Sequence, residues 1–146
     1  MFANIQKILK SQAGMSLIEI LIALTLLALA GTFVGGKVFE QLQEGKVQSA
    51  KIQIKSLAER LKEFRRDCNF LPTTTMGLDA LVEKPTEREC KRYAPGGYIE
   101  GKVPQDPWDN EFIYESDGKT FTIISLGADN AEEGEGPDAD INSKDF

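Results

Sequence analysis

The feature that most limits what this chain can fold into is an uncharged run of 17 residues, Ile20 to Gly36. Met15 to Ile18, in front of Glu19, extend it to about 20 mostly apolar positions, and at ~1.5 Å per residue a helix of that length crosses a ~30 Å hydrocarbon core. The run predicts a membrane helix. Glu19 is the one acid inside it, and a carboxylate at membrane depth is expensive unless something neutralises it. That expense points to a function. The alternative is a group solvated at the level of the lipid headgroups.

Ahead of the run, residues 1–14 carry Lys7 and Lys10, no acid, and end in Gln12-Ala13-Gly14. Positive charge before an apolar segment predicts a cytoplasmic N-terminus, with the remainder of the chain across the membrane. An ordinary secretory signal is cut after its apolar segment near small residues, and Ala30-Gly31 and Gly35-Gly36 leave that route open by pattern. The arrangement of basic leader, Gly14, Met15, Ser16-Leu17-Ile18-Glu19 and apolar helix resembles the class III signal of type IV pilins and pseudopilins. This resemblance implies cleavage after Gly14, methylation of the new amino terminus on Met15, and retention of the apolar segment. It also implies that Glu19 pairs with the terminal amine of a neighbouring subunit, so that two costly buried charges satisfy each other on assembly. Met15 stands where that family most often has Phe.

The chain has 146 residues, and roughly 80 of them follow the helical region, room for one small exported domain. The formal charge of −6 becomes −8 once Lys7 and Lys10 leave with the leader. An acidic domain is poorly suited to nucleic acid, because the electrostatic part of phosphate affinity has the wrong sign. There is no histidine, which removes the commonest general base and the commonest zinc ligand together. Enzyme activity is therefore not expected. Cys68 and Cys90 lie on the exported side, where oxidising conditions allow a disulfide. Two buried thiols or a bridge between subunits are the alternatives.

After Lys37 the chain turns charged but keeps a helical period. Val47, Ala50, Ile54, Leu57, Leu61 and Phe64 form a stripe, with Gln48, Lys51, Lys55, Glu59, Lys62 and Glu63 off it. This predicts an amphipathic helix with one face committed to packing. Joined to the membrane run, it would make one rod from Met15 to about Arg66, with Gly31, Gly35, Gly36 and Gly45 as weak points. Gly31 to Gly35 also has the small-xxx-small spacing of closely packed membrane helices, and the same residues would serve a local unwinding. Pro72 is expected to stop the helix, the following threonines to cap a short helix over Leu78, Leu81 and Val82, and Pro85 to end it. Pro104 and Pro107 fix an extended stretch, and Trp108 is suited to covering a small core. Glu111 to Glu115 and Thr120 to Ser125 alternate apolar and polar residues about Asp117-Gly118, which predicts a hairpin with Phe112, Tyr114, Phe121 and Ile123 facing inward.

Between Asp129 and Asp140 stand six acids and no base: Asp129, Glu132, Glu133, Glu135, Asp138 and Asp140. Such a cluster is either solvated or neutralised by a cation, and hard oxygen donors on a glycine-bearing loop suit Ca²⁺ better than Zn²⁺ or Mg²⁺. EF-hand spacing is missing.

Several stretches are similar to the major pseudopilins of type II secretion systems. They are Leu71-Pro72-Thr73-Thr74 with Gly77-Leu78 and Ala80-Leu81-Val82, Gly96-Gly97-Tyr98, Pro104 to Asn110, Phe112-Ile113-Tyr114, and Ser125-Leu126-Gly127-Ala128-Asp129 with Gly134-Glu135-Gly136 and Asp138-Ala139-Asp140-Ile141. The resemblance spans Gly14 to Ile141. It implies an α+β fold, in which a long transmembrane and amphipathic helix packs on a small antiparallel sheet beside a C-terminal calcium-binding loop. It implies a leader at 1–14, an assembly helix at 15–36, its amphipathic continuation at 37–66 and a periplasmic domain at 67–146. The loop would hold a structural Ca²⁺ through the carboxylates of Asp129, Asp138 and Asp140 and the carbonyl of Leu126, with Glu132, Glu133 and Glu135 solvated. At Glu133 the family often has glycine.

The function so implied is that of a structural subunit of the secretion pseudopilus, a helical homopolymer built from the inner membrane into the periplasm. Prepilin peptidase, minor pseudopilins and the inner-membrane platform would be its partners, and nucleic acid would not. The rival readings are a type IV pilin or minor pseudopilin, and a membrane-anchored calcium-dependent binding module that does not polymerise.

Overall fold

The computed structural model describes residues 16–146. The leader and the expected cleavage position at Gly14 and Met15 lie outside the described residues. Helix α1 runs from Leu17 to Cys68, 52 residues, and includes Gly31, Gly35, Gly36 and Gly45. Its first turn is closed by the N–H groups of Glu19 and Ile20 donating to Ser16 O. Its last turn carries Arg65 and Arg66, cations that complement the negative end of the helix dipole. The expected stop at Pro72 is not what ends it. Asn69 takes the left-handed conformation at φ 62° and donates its N–H to Arg65 O at 2.8 Å, capping the helix before the proline is reached.

The described residues divide into two compact units, one ending at Glu40 and the other Gln41–Phe146. In the first, Leu17, Ile18, Leu21, Leu24, Leu27 and Val34 are all more than half exposed. In the second, the predicted stripe forms the centre of the core: Ala50, Ile54, Leu57, Leu61 and Phe64 are at most 2% exposed.

The sheet in that second unit has three antiparallel strands in the order β1 (Ile113–Ser116), β2 (Phe121–Ser125) and β3 (Ile141–Asn142). The hairpin forms where the alternation predicts it, with Ile113 opposite Ile124 and Ser116 opposite Phe121. Its turn is held by Asp117, whose Oδ1 accepts from the N–H groups of Lys119 and Thr120, while Gly118 takes φ 85°. Phe112, Tyr114 and Ile123 are buried as expected, and Phe121 is half-buried. Strand β3 was not foreseen. It continues past its two residues through Ser143, which exchanges hydrogen bonds with the backbone of Ile123 through its own N–H and Oγ.

Between helix and hairpin lies a short 3₁₀ turn at Leu78–Leu81, with Leu78, Ala80 and Leu81 buried. The threonines do not cap it. Gly77 precedes it with no side-chain cap, and Thr74 is turned instead to β1, where its N–H and Oγ1 both donate to Ser116 O at 3.1 Å. Leu71 N–H bonds Gly118 O and the Tyr114 hydroxyl bonds Pro72 O, so residues 71–74 lie along the outer edge of β1 and occupy its Ser116 end.

Cys68 and Cys90 are joined in a disulfide across 22 positions of sequence. In the chain-entropy account, closing a loop of that size stabilises the fold by about 3 kcal/mol. Around it Phe64, Phe70, Tyr93 and Tyr98 meet edge-on or tilted, with centroids 5.2 to 6.1 Å apart. Burial, reinforced by a hydrogen bond to Asp67, pushes the Tyr98 hydroxyl up to about 12. A raised folded-state value favours the neutral phenol, so this contribution is complete below the ordinary tyrosine value near 10 and is lost as pH climbs toward about 12. Melting followed by circular dichroism across that window should therefore show falling stability, and Tyr98→Phe should flatten part of the fall; an unchanged slope would refute this role for Tyr98.

Candidate functional site

Two places carry the chemistry that the sequence singles out. The first is Glu19, in the opening turn of α1, where a carboxylate complements the helix dipole. Its side chain is exposed in the single chain, and no ion pair is made to it among the described residues.

The second is the acidic C-terminal loop. Strand β2 ends at Ser125, the chain turns at Gly127, and β3 returns at Ile141, so the loop is clasped at its base by the pairing of Ser125 with Ile141. A second clasp is the Ala128 N–H, which donates to Pro137 O at 3.0 Å. Pro137 sits at the start of a 3₁₀ turn, Gly136–Asp138, that points the chain back toward the sheet. Gly127 has φ 69°, and a Cβ built there would lie 2.8 Å from Pro137 O and 2.9 Å from the Asp138 carbonyl carbon. No side chain fits that crossing.

The four expected ligands are placed unequally. Asp129 is exposed and its Oδ1 accepts the Ala131 N–H, a local turn. Asp138 and Leu126 are half-buried. Asp140 is the unusual one. Its Oδ2 accepts the Glu133 N–H at 3.1 Å, while its Oδ1 is buried with no hydrogen-bond partner. A buried carboxylate oxygen left without a donor costs free energy unless a partner arrives from outside. The loop thus brings Asp140 to the Glu133 amide and the Asp138 backbone to Gly127 and Gly134, but it does not bring three carboxylates together. Among the described residues no group of three acidic, histidine or cysteine side chains is set to hold a metal ion. Glu132, Glu133 and Glu135 are exposed. Glu133 takes φ 69°, a left-handed backbone that a glycine adopts without strain.

One buried polar residue near this loop was missed from sequence. Asp106 is 3% exposed and accepts three hydrogen bonds. Its signal is the run Pro104-Gln105-Asp106-Pro107-Trp108, where an aspartate between prolines bonds the amide two residues on. Trp108 is half-buried against the core, as expected of a core-covering residue, and its indole N–H donates to Gln43 Oε1 on α1 at 3.2 Å.

The family described as type II secretion system (T2SS), protein G matches residues 37–144. The chain belongs to the type II secretion protein G family. A second match, to the prokaryotic N-terminal methylation motif, covers residues 9–35 and so includes Gly14, Met15 and Glu19. The type II secretion system core protein G of Vibrio cholerae is 37% identical over 145 residues, spanning 96% of this chain and 99% of that protein. The core protein G of Pseudomonas aeruginosa is 37% identical over 139 residues, spanning 93% and 97%. Among solved structures, the crystal structure of the major pseudopilin of enterohaemorrhagic Escherichia coli aligns with a TM-score of 0.61 at 31% identity, covering 73% of this chain and 92% of that one. The major-pseudopilin family expected from the sequence motifs is therefore the family found, and the α+β architecture of long helix and small antiparallel sheet goes with it.

For this protein G the crossing at Gly127 sets a sharp requirement. Gly127→Ala should cost about 1–3 kcal/mol by forcing a left-handed backbone onto alanine against Pro137. Hydrogen exchange of the full chain in detergent should then show the Ala128 amide losing protection, and retained protection would show that the loop crosses by another path.

Proposed function

We propose that this protein G is a structural subunit, not an enzyme, anchored in the inner membrane by the first half of α1 with residues beyond it in the periplasm. It polymerises through that helix into the pseudopilus that drives protein export. The observation that carries this reading is the surface of Leu17 to Thr32, largely apolar, exposed in the single chain and broken by one carboxylate, Glu19. A surface of that kind is stable in lipid or against other helices. Apolar packing alone gives helices little preference for one register, whereas a buried carboxylate that must meet a cation does. The methylation motif supplies the cation: cleavage after Gly14 by prepilin peptidase creates an amine on Met15. Contacts between unlike surfaces that do not close into a ring propagate into a helical fibre. Minor pseudopilins and the inner-membrane platform are its partners in that assembly.

The C-terminal loop is a structural calcium site in this reading. The test of fit is Asp140 Oδ1, a buried oxygen without a donor, in a loop whose other donors are hard oxygens. Asp129, Asp138, Asp140 and the Leu126 carbonyl would hold the ion. When bound, Ca²⁺ supplies a compact positive charge that oxygen donors share without a demanding geometry. This chain's own residues keep the loop closed: Gly127 permits the crossing, and the Ser125–Ile141 pair anchors both ends.

Two measurements test the two halves of the proposal. Glu19→Ala should leave the chain inserted in the membrane but deplete it from sheared fibres, and wild-type fibre yield in that variant would sink the assembly role. For the loop, Ca²⁺ at a hundredfold excess over Kd should stabilise the full chain in detergent by about 2.7 kcal/mol relative to chelator, raising Tm by several degrees. Asp140→Asn should abolish the shift. Equal melting with and without Ca²⁺ would leave the acidic segment a solvated tail.

A further inference from the structure

We infer that Asp106 and Ser125 are positioning residues that tie the stem of the C-terminal loop to the Trp108 contact on α1, so that order at one end is felt at the other. The link is made of hydrogen bonds within the Gln41–Phe146 unit and stands with or without an ion in the loop.

Asp106 Oδ1 accepts from the N–H groups of Trp108 at 3.0 Å and Asn110 at 2.9 Å. The same turn is closed by Asp106 N–H to Asn110 O at 2.8 Å and by Asp109 N–H to Asp106 O at 3.0 Å, with Asp109 at φ 66°. One carboxylate oxygen therefore organises the turn that presents Trp108. The other oxygen faces away from it. Asp106 Oδ2 accepts the hydroxyl of Ser125 at 2.7 Å, and Ser125 is fully buried as the last residue of β2. Ser125 Oγ in turn accepts the Gly127 N–H at an N–O distance of 3.5 Å, at the crossing that has no room for a side chain. At the far end, Trp108 reaches α1 through its indole N–H on Gln43 and with Lys46 Nζ 6.0 Å from its ring centroid.

The chemistry explains why a carboxylate stands here. Donors approach both oxygens, two amides on one and a hydroxyl on the other, and only a carboxylate accepts at both. An asparagine would turn its NH₂ toward one of those donors. A buried acceptor saturated in this way is rigid, and removing one donor leaves an oxygen unsatisfied rather than merely freeing it. Pro104 and Pro107 restrict the backbone on either side, so the turn has little freedom to absorb the loss. The result is a continuous path, Gln43 to Trp108 to Asp106 to Ser125 to Gly127, from the packing helix to the loop. It gives the loop a physical connection to the part of α1 that lies in the same unit.

Trp108 is the one tryptophan of the chain, so its emission reports the turn in the full-length protein in detergent micelles. Ser125→Ala removes the bridge and leaves both Oδ1 bonds in place. It should red-shift Trp108 emission by several nanometres while far-ultraviolet circular dichroism stays unchanged, and speed exchange of the Gly127 and Ala128 amides about tenfold. Faster exchange at Gly127 with unaltered Trp108 emission would overturn the inference, because loop and turn would then be independent. The link is also approached from the half-buried end, where folding is less at risk. Trp108→Phe should raise exchange at Gly127 through the same bridge, and unchanged exchange there would equally overturn it. Both readouts are taken in chelator, so absence of calcium binding would count against the loop's ion and not against this connection.

Discussion

The burial of one helical stripe underlies the rest of the Gln41–Phe146 unit. Ala50, Ile54, Leu57, Leu61 and Phe64 recur at steps of three and four, and all five are almost fully removed from water in one core cluster with Phe112, Tyr114, Ile123 and Ile141. Each large side chain among them contributes about 1.5–3 kcal/mol by its burial. The sheet that shares this core is slight, with strands of four, five and two residues. Such a sheet has no independent stability, so the helix does not decorate a preformed β-domain; it supplies the surface on which the hairpin becomes stable.

Because the apolar area is small, specific polar and covalent ties finish what the stripe begins. The disulfide fixes the arm that follows the 3₁₀ turn against the end of α1, and the aromatic side chains around Phe64 fill the space beside it. Asp117 closes the hairpin, Thr74 covers its outer edge, and Asp106 joins the turn at Trp108 to the last residue of β2. None of these bonds is large alone, since a net hydrogen bond is worth about 0.5–1.5 kcal/mol. Their effect is to select one arrangement of loops that hydrophobic packing would leave undecided.

Legibility followed the same division. The stripe, the apolar run and the hairpin were readable because each repeats: a helix face every three to four residues, a strand face every two. Features set by a single tertiary contact were not. Asn69 ended α1 because a left-handed residue there bonds Arg65 O, and nothing in the local pattern ranks it above Pro72. The threonines looked like helix caps because their hydroxyls can bond nearby amides, but the backbone of Ser116, 42 positions on from Thr74, competed successfully. Strand β3 has two residues and so shows no period. In the acidic loop, charge and glycine spacing were legible, whereas the buried oxygen of Asp140 depends on how Glu133 folds back over it.

Among the described residues, two carboxylates that the sequence singles out, Glu19 and Asp140, find no full complement within the chain, and they differ in kind. Glu19 is exposed on an apolar helix, where lipid rather than water is the proposed surrounding; its deficit is solvation of a charge. Asp140 Oδ1 is buried inside the folded unit, and its deficit is a missing donor at a fixed point. A charge on a surface is best met by another chain, because a second copy can bring a cation along a face that is already complementary. A buried oxygen at a loop base is best met by something small enough to enter, and a cation with flexible oxygen coordination meets that requirement where a side chain would not. Under that proposal their consequences separate: neutralising Glu19 would change which neighbour and which register the helix selects, whereas satisfying Asp140 would change how firmly the unit holds its own C-terminal loop. On the reading proposed above, each deficit would be relieved by a different outside agent, a second chain at Glu19 and a cation at Asp140.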